Sequence, residues 1–375
     1  IDYALEQNIT IRKNRVTAES TQIDVKTAKA ALFPSLSFST SQQVVNRPYQ
    51  ETSSRVSGSE IISSNSKTSY NGNYGLNASW TIYNGSKRLK TLKQERLNNQ
   101  IAELDVATSE NTIKESIAQI YIQILYAAES VRVNENTLQV SIAQRDRGQE
   151  LLNAGSIAKS DLAQLEALVS TDRYQLVTAQ ATLEDYKLQL KQLLELDGEN
   201  EMNIYLPALS DENVLAPLPT KKDVYIRALS LRPEIEASKL NVEASELGIG
   251  IAKSSYLPTI SLSAGIGTNH TSGSDFTFGE QVKNGWNNSI GVSVSVPIFN
   301  NRQTKSAVQK AKLQRETSLL SLLDEQKTLY KTIEGLWLDA NSAQQRYAAA
   351  NEKLKSTQIS YDLISEQFNL GMKNT

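Results

Sequence analysis

The sequence predicts a mostly α chain with a small β part, in which very long antiparallel helical hairpins join four amphipathic strands. Three observations carry this. The chain repeats itself. Each copy holds a helical stretch too long for any globular domain. Each copy also holds two stretches of about ten residues in which apolar and small polar residues alternate, the pattern of a half-buried strand.

The repeat is visible on direct comparison. ALFPSLSFS (31–39) matches SYLPTISLS (255–263), with Pro34 on Pro258 at an offset of 224 (258 − 34). The same offset pairs Leu5 with Leu229, Ile11 with Ile235, Ala28 with Ala252 and Ser39 with Ser263. Farther on, WTIYNG (80–85) faces VPIFNN (296–301) at an offset of 216 (298 − 82). That offset then holds for Leu97 with Leu313, Ile117 with Ile333 and Gly155 with Gly371. The eight extra residues of the first copy fall between its two strands. Self-similarity of this kind means that one supersecondary unit is used twice.

The elements follow in order. Residues 1–196 form the first structural repeat, with a helix over 4–32 and strands over 34–44 and 74–83. A long helix over 86–153 and a return helix over 158–196 complete it. Residues 197–221, with Pro207, Pro217 and Pro219, form a linker. Residues 222–375 form the second repeat: a helix, strands over 258–268 and 289–299, and a long helix over 302–370. Its return helix is missing. That absence, with an opening IDYALEQN already in helical pattern, predicts a processed or trimmed chain. Pro34 and Pro258 mark the change from helix to strand, because proline ends a helix yet is tolerated at the first residue of a strand. The stretch 86–153 contains no proline and Gly148 as its interior glycine. A helix of that length rises about 100 Å. Ile113, Ile117, Ile120, Tyr121, Ile124 and Ala128 form one narrow stripe on it, so it must pack along similar helices. Gly155 and Gly371 sit where a left-handed helix cap belongs, and Ser160 stands as the N-cap of the return helix.

The composition agrees with thin helices. Of 375 residues, 39% are hydrophobic, 6% aromatic and 21% charged, too few apolar groups for thick cores. The net charge of −2 leaves no basic stripe for nucleic acid. Without cysteine there is neither disulfide nor thiolate chemistry. The one histidine, His270, has Asp275 near it and no second histidine, so no metal site is expected. The glycines around 265–279 lack phosphate-loop spacing. No loop gathers an acid, a base and a nucleophile, so no catalytic residues and no cofactor are expected.

The strands hold the functional signal. Trp80 and Ile82 alternate with Ser79 and Thr81; Ile260, Leu262 and Ile266 with Ser261, Ser263 and Gly265; Val292, Val294 and Val296 with Gly291, Ser293 and Ser295. A soluble antiparallel sheet alternates too. Yet ten residues is also the length of a tilted transmembrane strand, about 9–11, and nothing else in the chain offers a core to cover the apolar face. The apolar set is therefore expected to face lipid. Four strands cannot close a barrel, whose smallest transmembrane form has about eight, so several copies must combine. Tyr83 and Phe299 close the second strand of each copy as candidates for an aromatic girdle, although their parity sets them off the apolar face.

In these features the chain resembles the TolC-type outer-membrane efflux and secretion channels, over essentially its whole length. The resemblance rests on ALFPSLSFS and SYLPTISLS, on VSVPIFNNR entering a long helix, and on the turns LLNAGSIAKSDL and QFNLGMKNT, all in duplicate order. It implies a homotrimer whose strands make a 12-stranded transmembrane β-barrel in the outer membrane of a Gram-negative bacterium. The helices would form a periplasmic tunnel, with the linker 197–221 in a mixed equatorial region. It implies an exit duct of a tripartite efflux pump or type I secretion system. Such a duct takes drugs, small molecules or proteins from a periplasmic adaptor (membrane fusion) protein and an inner-membrane transporter. It also implies a gate at the helix tips, at Ser160, Asp161, Phe368 and Lys373, with an acidic constriction ring beyond residue 375. Phe368 lacks the hydroxyl of the family tyrosine, and Lys373 lacks the two-pronged reach of the family arginine. The other reading is a soluble periplasmic coiled-coil adaptor or scaffold protein, which would carry one hairpin rather than two copies of everything.

Overall fold

A computed structural model describes residues 1–49, 53–57, 60–64, 67–196, 204–205 and 214–369. The elements are α1 (Asp2–Gln7), α2 (Ile9–Ala30), β1 (Ser35–Asn46), β2 (Ser53–Ser57), β3 (Glu60–Ser64) and β4 (Thr68–Asn84), then α3 (Lys87–Asn153), α4 (Lys159–Leu193), α5 (Lys221–Leu231) and α6 (Pro233–Ser254). They close with β5 (Thr259–Thr271), α7 (Phe278–Asn284), β6 (Asn287–Ser295) and α8 (Gln303–Asn369). Both α3 and α8 are 67 residues long, a rise of about 100 Å each.

The opening helix of each copy is broken, where one continuous helix was expected. The first break falls at Asn8, whose backbone is extended (φ −58°, ψ 127°). Its side-chain oxygen accepts the Thr10 N–H at 2.9 Å and its amide donates to the Leu193 carbonyl at 3.1 Å. The second break falls at Arg232 (φ −76°, ψ 120°), the residue before Pro233. A proline pushes its predecessor out of the helical region and suits the first helical position itself. Residues 8 and 232 are separated by the repeat offset of 224 (232 − 8), so two local chemistries make one bend.

The chain divides into two compact units that do not follow the repeats, since each takes residues from both copies. The first comprises residues 1–18, 102–236 and 324–375. Its core gathers Ala4, Ile11, Ile113, Ile117, Ile124 and Leu190. Ile11, Ile124 and Ile235 are fully buried. The linker is tied to the long helices by matched bonds. Tyr121 of α3 donates its hydroxyl to the Tyr205 carbonyl at 2.8 Å, and Trp337 of α8 donates its indole N–H to the Pro219 carbonyl at 3.1 Å. Tyr121 and Trp337 are equivalent in the repeat (337 − 121 = 216).

The second unit comprises residues 19–101 and 237–323. It holds a four-stranded antiparallel sheet in the order β1-β4-β5-β6. Between β1 and β4, inside a stretch read from sequence as polar loop, β2 and β3 pair as a separate hairpin. Between β5 and β6, α7 forms where only loop was expected, closed by a capping box. The Thr277 hydroxyl accepts the Glu280 N–H, and the Glu280 carboxylate accepts the Thr277 N–H at 2.8 Å.

Candidate functional site: the sheet face and the helix tips

Strand register sorts the side chains into rows. Leu36 pairs with Ala78, Ala78 with Ala264 and Ala264 with Ile290. Trp80 pairs with Leu262 and Leu262 with Val292, while Ile260 pairs with Val294 and Leu76 with Ile266. Directly opposed residues share a face, so these rows build one apolar face across all four strands. The opposite face carries Ser35, Ser79, Ser263 and Gly291 in one row and Ser37, Asn77, Gly265 and Ser289 in the next. Its hydroxyls bond across the strands: Ser35 Oγ lies 2.8 Å from Ser79 Oγ, and Ser263 Oγ donates to the Gly291 carbonyl at 3.3 Å. Ile266, Val292, Val294 and Ile82 are exposed, as is Trp80 in part, while Ile260 and Leu262 are half-buried. Trp80 keeps its ring on the apolar face and gives its indole N–H to the Leu32 carbonyl at 2.8 Å.

Two positions depart from strict alternation. The pairing of β4 with β5 slips between Thr81 and Tyr83, so that Tyr83 stands opposite Ile260 and Ile82 is the extra residue of a bulge. The bulge reverses the parity expected for Tyr83 and brings it onto the apolar side. At the other edge β6 ends at Ser295, so Val296 lies beyond the strand although the alternation predicts it inside. The partner strand β5 begins at Thr259, opposite Ser295, and leaves Val296 no ladder; Pro297 has no N–H to extend one.

Pro34 and Pro258 directly precede β1 and β5. Residues not singled out from sequence hold these junctions. Arg88 in the first turn of α3 donates to the Ala31 carbonyl at 2.6 Å, beyond the end of α2. Lys90 donates to the Gly250 carbonyl at 3.1 Å, near the end of α6. Cations are favoured at helix C-termini. Neither residue belongs to an apolar pattern, so period alone could not find them.

At the tip, Gly155 has φ +72°. The Ser156 N–H reaches the Leu151 carbonyl at 2.8 Å and the Gly155 N–H reaches Leu152 at 2.9 Å, the two bonds of a Schellman cap. The following helix starts at Lys159 with Ala158 as its N-cap, which corrects the N-cap role read for Ser160. Alanine has no oxygen to offer, so the cap is one-sided. Asp161 accepts the Ala158 N–H at 3.0 Å, and Ser160 Oγ donates to Asp161 at 3.3 Å. Phe368 belongs to the last turn of α8, with its side chain outside the described residues; Gly371 and Lys373 also lie outside them.

His270 lies in β5 rather than in the loop. It stacks on Tyr74 with centroids 6.0 Å apart and meets Phe278 edge-on at 5.2 Å. Gly72 opposite leaves room for its ring: a Cβ there would lie 2.2 Å from the imidazole. Among the described residues no group of three His, Asp or Glu side chains could hold a metal, and no helix is long and apolar enough to cross a membrane.

A family model described as outer membrane efflux protein matches residues 1–195 and 224–375. The outer membrane efflux protein BepC of Brucella suis is 25% identical over 268 residues, covering 71% of this chain and 56% of that protein. The outer membrane protein TolC of Escherichia coli is 23% identical over 308 residues, covering 80% of this chain and 61% of that protein. The chain thus spans about three-fifths of the length of these relatives. Among solved structures, CusC superposes with a TM-score of 0.82 at 19% identity, over all of this chain and 82% of that one, which shows a shared fold.

Proposed function

The chain belongs to the outer membrane efflux protein family, and from that premise we propose that it is the outer-membrane exit duct of a tripartite efflux pump or type I secretion system. Three copies give four strands each to a 12-stranded barrel in the outer membrane of a Gram-negative bacterium. Their helices enclose a periplasmic tunnel that receives cargo from an adaptor protein and an inner-membrane transporter. The role is transport and includes no catalytic step. The observation that carries the reading is the sheet itself: one apolar face, one serine-rich face and, among the described residues, β1 and β6 each paired on one side only. A soluble protein covers an apolar face with helices and blunts its strand edges. A barrel wall turns that face to lipid and the hydroxyls to water, and closes its edges with the next copy. The adaptor or scaffold alternative is set aside by the family match.

In this reading Trp80, Ile260, Leu262, Ile266, Val292 and Val294 meet lipid. Asp161 and Ser160 act at the gate with Phe368 and Lys373, and the one-sided cap of α4 suits them to it. A carboxylate held by two local bonds can exchange them for a cation on a neighbouring helix at little cost, since exposed pairs contribute about 0–1 kcal/mol.

The test is conductance of the complete protein in planar bilayers. Discrete channels are expected, with longer openings in an Asp161→Ala variant. Silence from both proteins would overturn the proposal.

A further inference from the structure

Charge is distributed unevenly about the sheet. Four short stretches join it to the helices: residues 26–33 and 250–257 lead into Pro34 and Pro258, and residues 85–93 and 301–309 open the two long helices. The first two stretches hold Lys26, Lys29 and Lys253. The other two hold Lys87, Arg88, Lys90 and Lys93, then Arg302 and Lys305. These nine cations stand with no acid among them, in a chain of 39 basic and 41 acidic residues. All four stretches belong to the second unit. The strands β1, β4, β5 and β6 that follow or precede them contain no Asp, Glu, Lys or Arg. At the far end of the sheet the connections 47–67 and 272–286 balance four cations with four acids.

Helix dipoles and ion pairs do not account for this collar. A helix C-terminus favours cations, which suits Lys26, Lys29 and Lys253. A helix N-terminus disfavours them. Yet Lys87, Arg88 and Lys90 stand in the first turn of α3, and Arg302 and Lys305 at the start of α8, with no acid in either first turn. Among the described residues no carboxylate pairs with any of the nine. Arg88 and Lys90 are half-buried and donate to carbonyls; the other seven are exposed. Like charges gathered without counter-charges call for anions from outside.

The collar lies at the edge of the apolar face. Trp80, on that face, donates to the Leu32 carbonyl at 2.8 Å, and Arg88 donates to the preceding carbonyl, Ala31, at 2.6 Å. The two donors take consecutive carbonyls, so the guanidinium is held at the margin where the lipid-facing ring ends. Phe33, Tyr256 and Leu257 are exposed immediately before the two prolines. Aromatic rings sit at headgroup level, and Lys and Arg lay their stems on apolar surface while their charges reach polar groups.

We propose that this collar binds anionic phospholipid headgroups in the leaflet on the helix side of the sheet. The inference rests on the exit-duct reading, which puts the sheet in the membrane and makes that leaflet the periplasmic one. The ligand is a phosphodiester headgroup without a compensating amine, such as phosphatidylglycerol. Clustered Lys and Arg beside a membrane-spanning segment attract such lipids. The connections at the other end are balanced, so the attraction acts on one leaflet and sets the depth of the barrel. Shifted outward, the cations would enter hydrocarbon, which is costly. Shifted inward, they would leave the headgroups and carry the apolar face into water.

The experiment reconstitutes the complete protein in phosphatidylcholine bilayers. Electron spin resonance then compares how strongly spin-labelled phosphatidylglycerol and phosphatidylcholine are immobilised at its surface. A preference of about fivefold for phosphatidylglycerol is expected at low salt, the effect of about one surface cation on one headgroup. It should fall toward parity in about 0.5 M salt. K29Q/K253Q at the helix ends and K87Q/K305Q at the helix starts should each lose part of the preference, and the four changes together most of it. The corresponding four Lys→Arg changes keep the charge and should keep the preference. K114Q/K331Q, about 40 Å farther along the long helices, should leave it unchanged. If the fourfold variant fails to insert, the two pair variants carry the test. Equal immobilisation of both lipids by a conducting channel overturns the collar and leaves the exit-duct reading intact. So does a preference that survives the Lys→Gln changes while the reversal potential in a salt gradient shifts toward cations, which would put these side chains in the water of the tunnel. A protein that neither conducts nor stays in the bilayer overturns both.

Discussion

Helices α2 and α6 stand at equivalent places in the two copies, are each 22 residues long, and lead through a proline into a strand. They are buried very differently. Ala237 and Ala244 of α6 are buried, while their equivalents Lys13 and Ser20 are exposed. Glycines at 248 and 250 stand where α2 has Asp24 and Lys26. The two helices share one pattern in sequence and differ in what lies beside them. α6 carries small residues where α3 packs on it, and α2 carries charged and larger ones on a face left exposed among the described residues. Helical period predicts that both are helices; neighbours decide what each face can afford.

The comparison can be broken first where the helices agree. Ile11 and Ile235 are equivalent, and both are fully buried. Either Ile→Ala change should destabilise by about 2–5 kcal/mol, read as a lowered thermal midpoint in detergent. Unequal losses would show that the two sites are not packed alike. A smaller effect should appear where the helices differ. Leu247→Ala, at a half-buried site, should cost about 1–2 kcal/mol. Ile23→Ala, 60% exposed in one chain, should cost almost nothing in dissociated protomers and a comparable amount in the assembled protein. Equal costs in both states would remove the distinction.

Glycines sharpen the point because the two kinds respond with opposite sign. Gly155 has φ +72° and open space around it, so Gly155→Ala should lose about 1–2 kcal/mol through backbone strain. Gly248 is helical, and a Cβ there would make ordinary contact at 3.5 Å from Gln94. Gly248→Ala should therefore gain about 0.5–1 kcal/mol from helix propensity, seen as a raised midpoint.

The smallest expected effect concerns caps and pH. The Thr277 N–H and hydroxyl hold the Glu280 carboxyl below the ordinary carboxylate range. A lowered folded value means that the stabilisation is complete above the ordinary glutamate pKa, about 4.3, and is lost as pH falls through the folded value. Amide exchange in α7 should accelerate in that acid window, and Glu280→Gln should flatten the change. An α7 that keeps its protection into strong acid would show that packing of Phe278 on His270, rather than the cap, holds it.

Much of the site was legible because its signals are local. Alternation placed Trp80, Leu262 and Val292 on one face, and register put them in one row. Pro34 and Pro258 marked the junctions. The one-sided cap of Asp161 was half legible: a carboxylate near a helix start was expected, but the true N-cap is an alanine. Arg88 and Lys90 were not legible, since their partners are carbonyls 57 and 160 residues away in sequence. The hairpin of β2 and β3 was hidden for another reason. SSRVS and EIISS are short and serine-rich, and composition alone reads such stretches as loop.

By itself the sequence determined the order and type of the long elements and their duplication. It did so because periodicity and proline act within a few residues and need no partner. Only tertiary structure decided three further things. Tyr83 joins the apolar face because a bulge against β5 resets the parity. The first helix breaks at Asn8 with a side chain that bonds both Thr10 and Leu193, far along the chain. β6 stops before Val296 because its partner strand begins opposite Ser295. In each case the deciding group lies in another element, and a hydrogen-bond ladder or a cap exists only when both sides are in place.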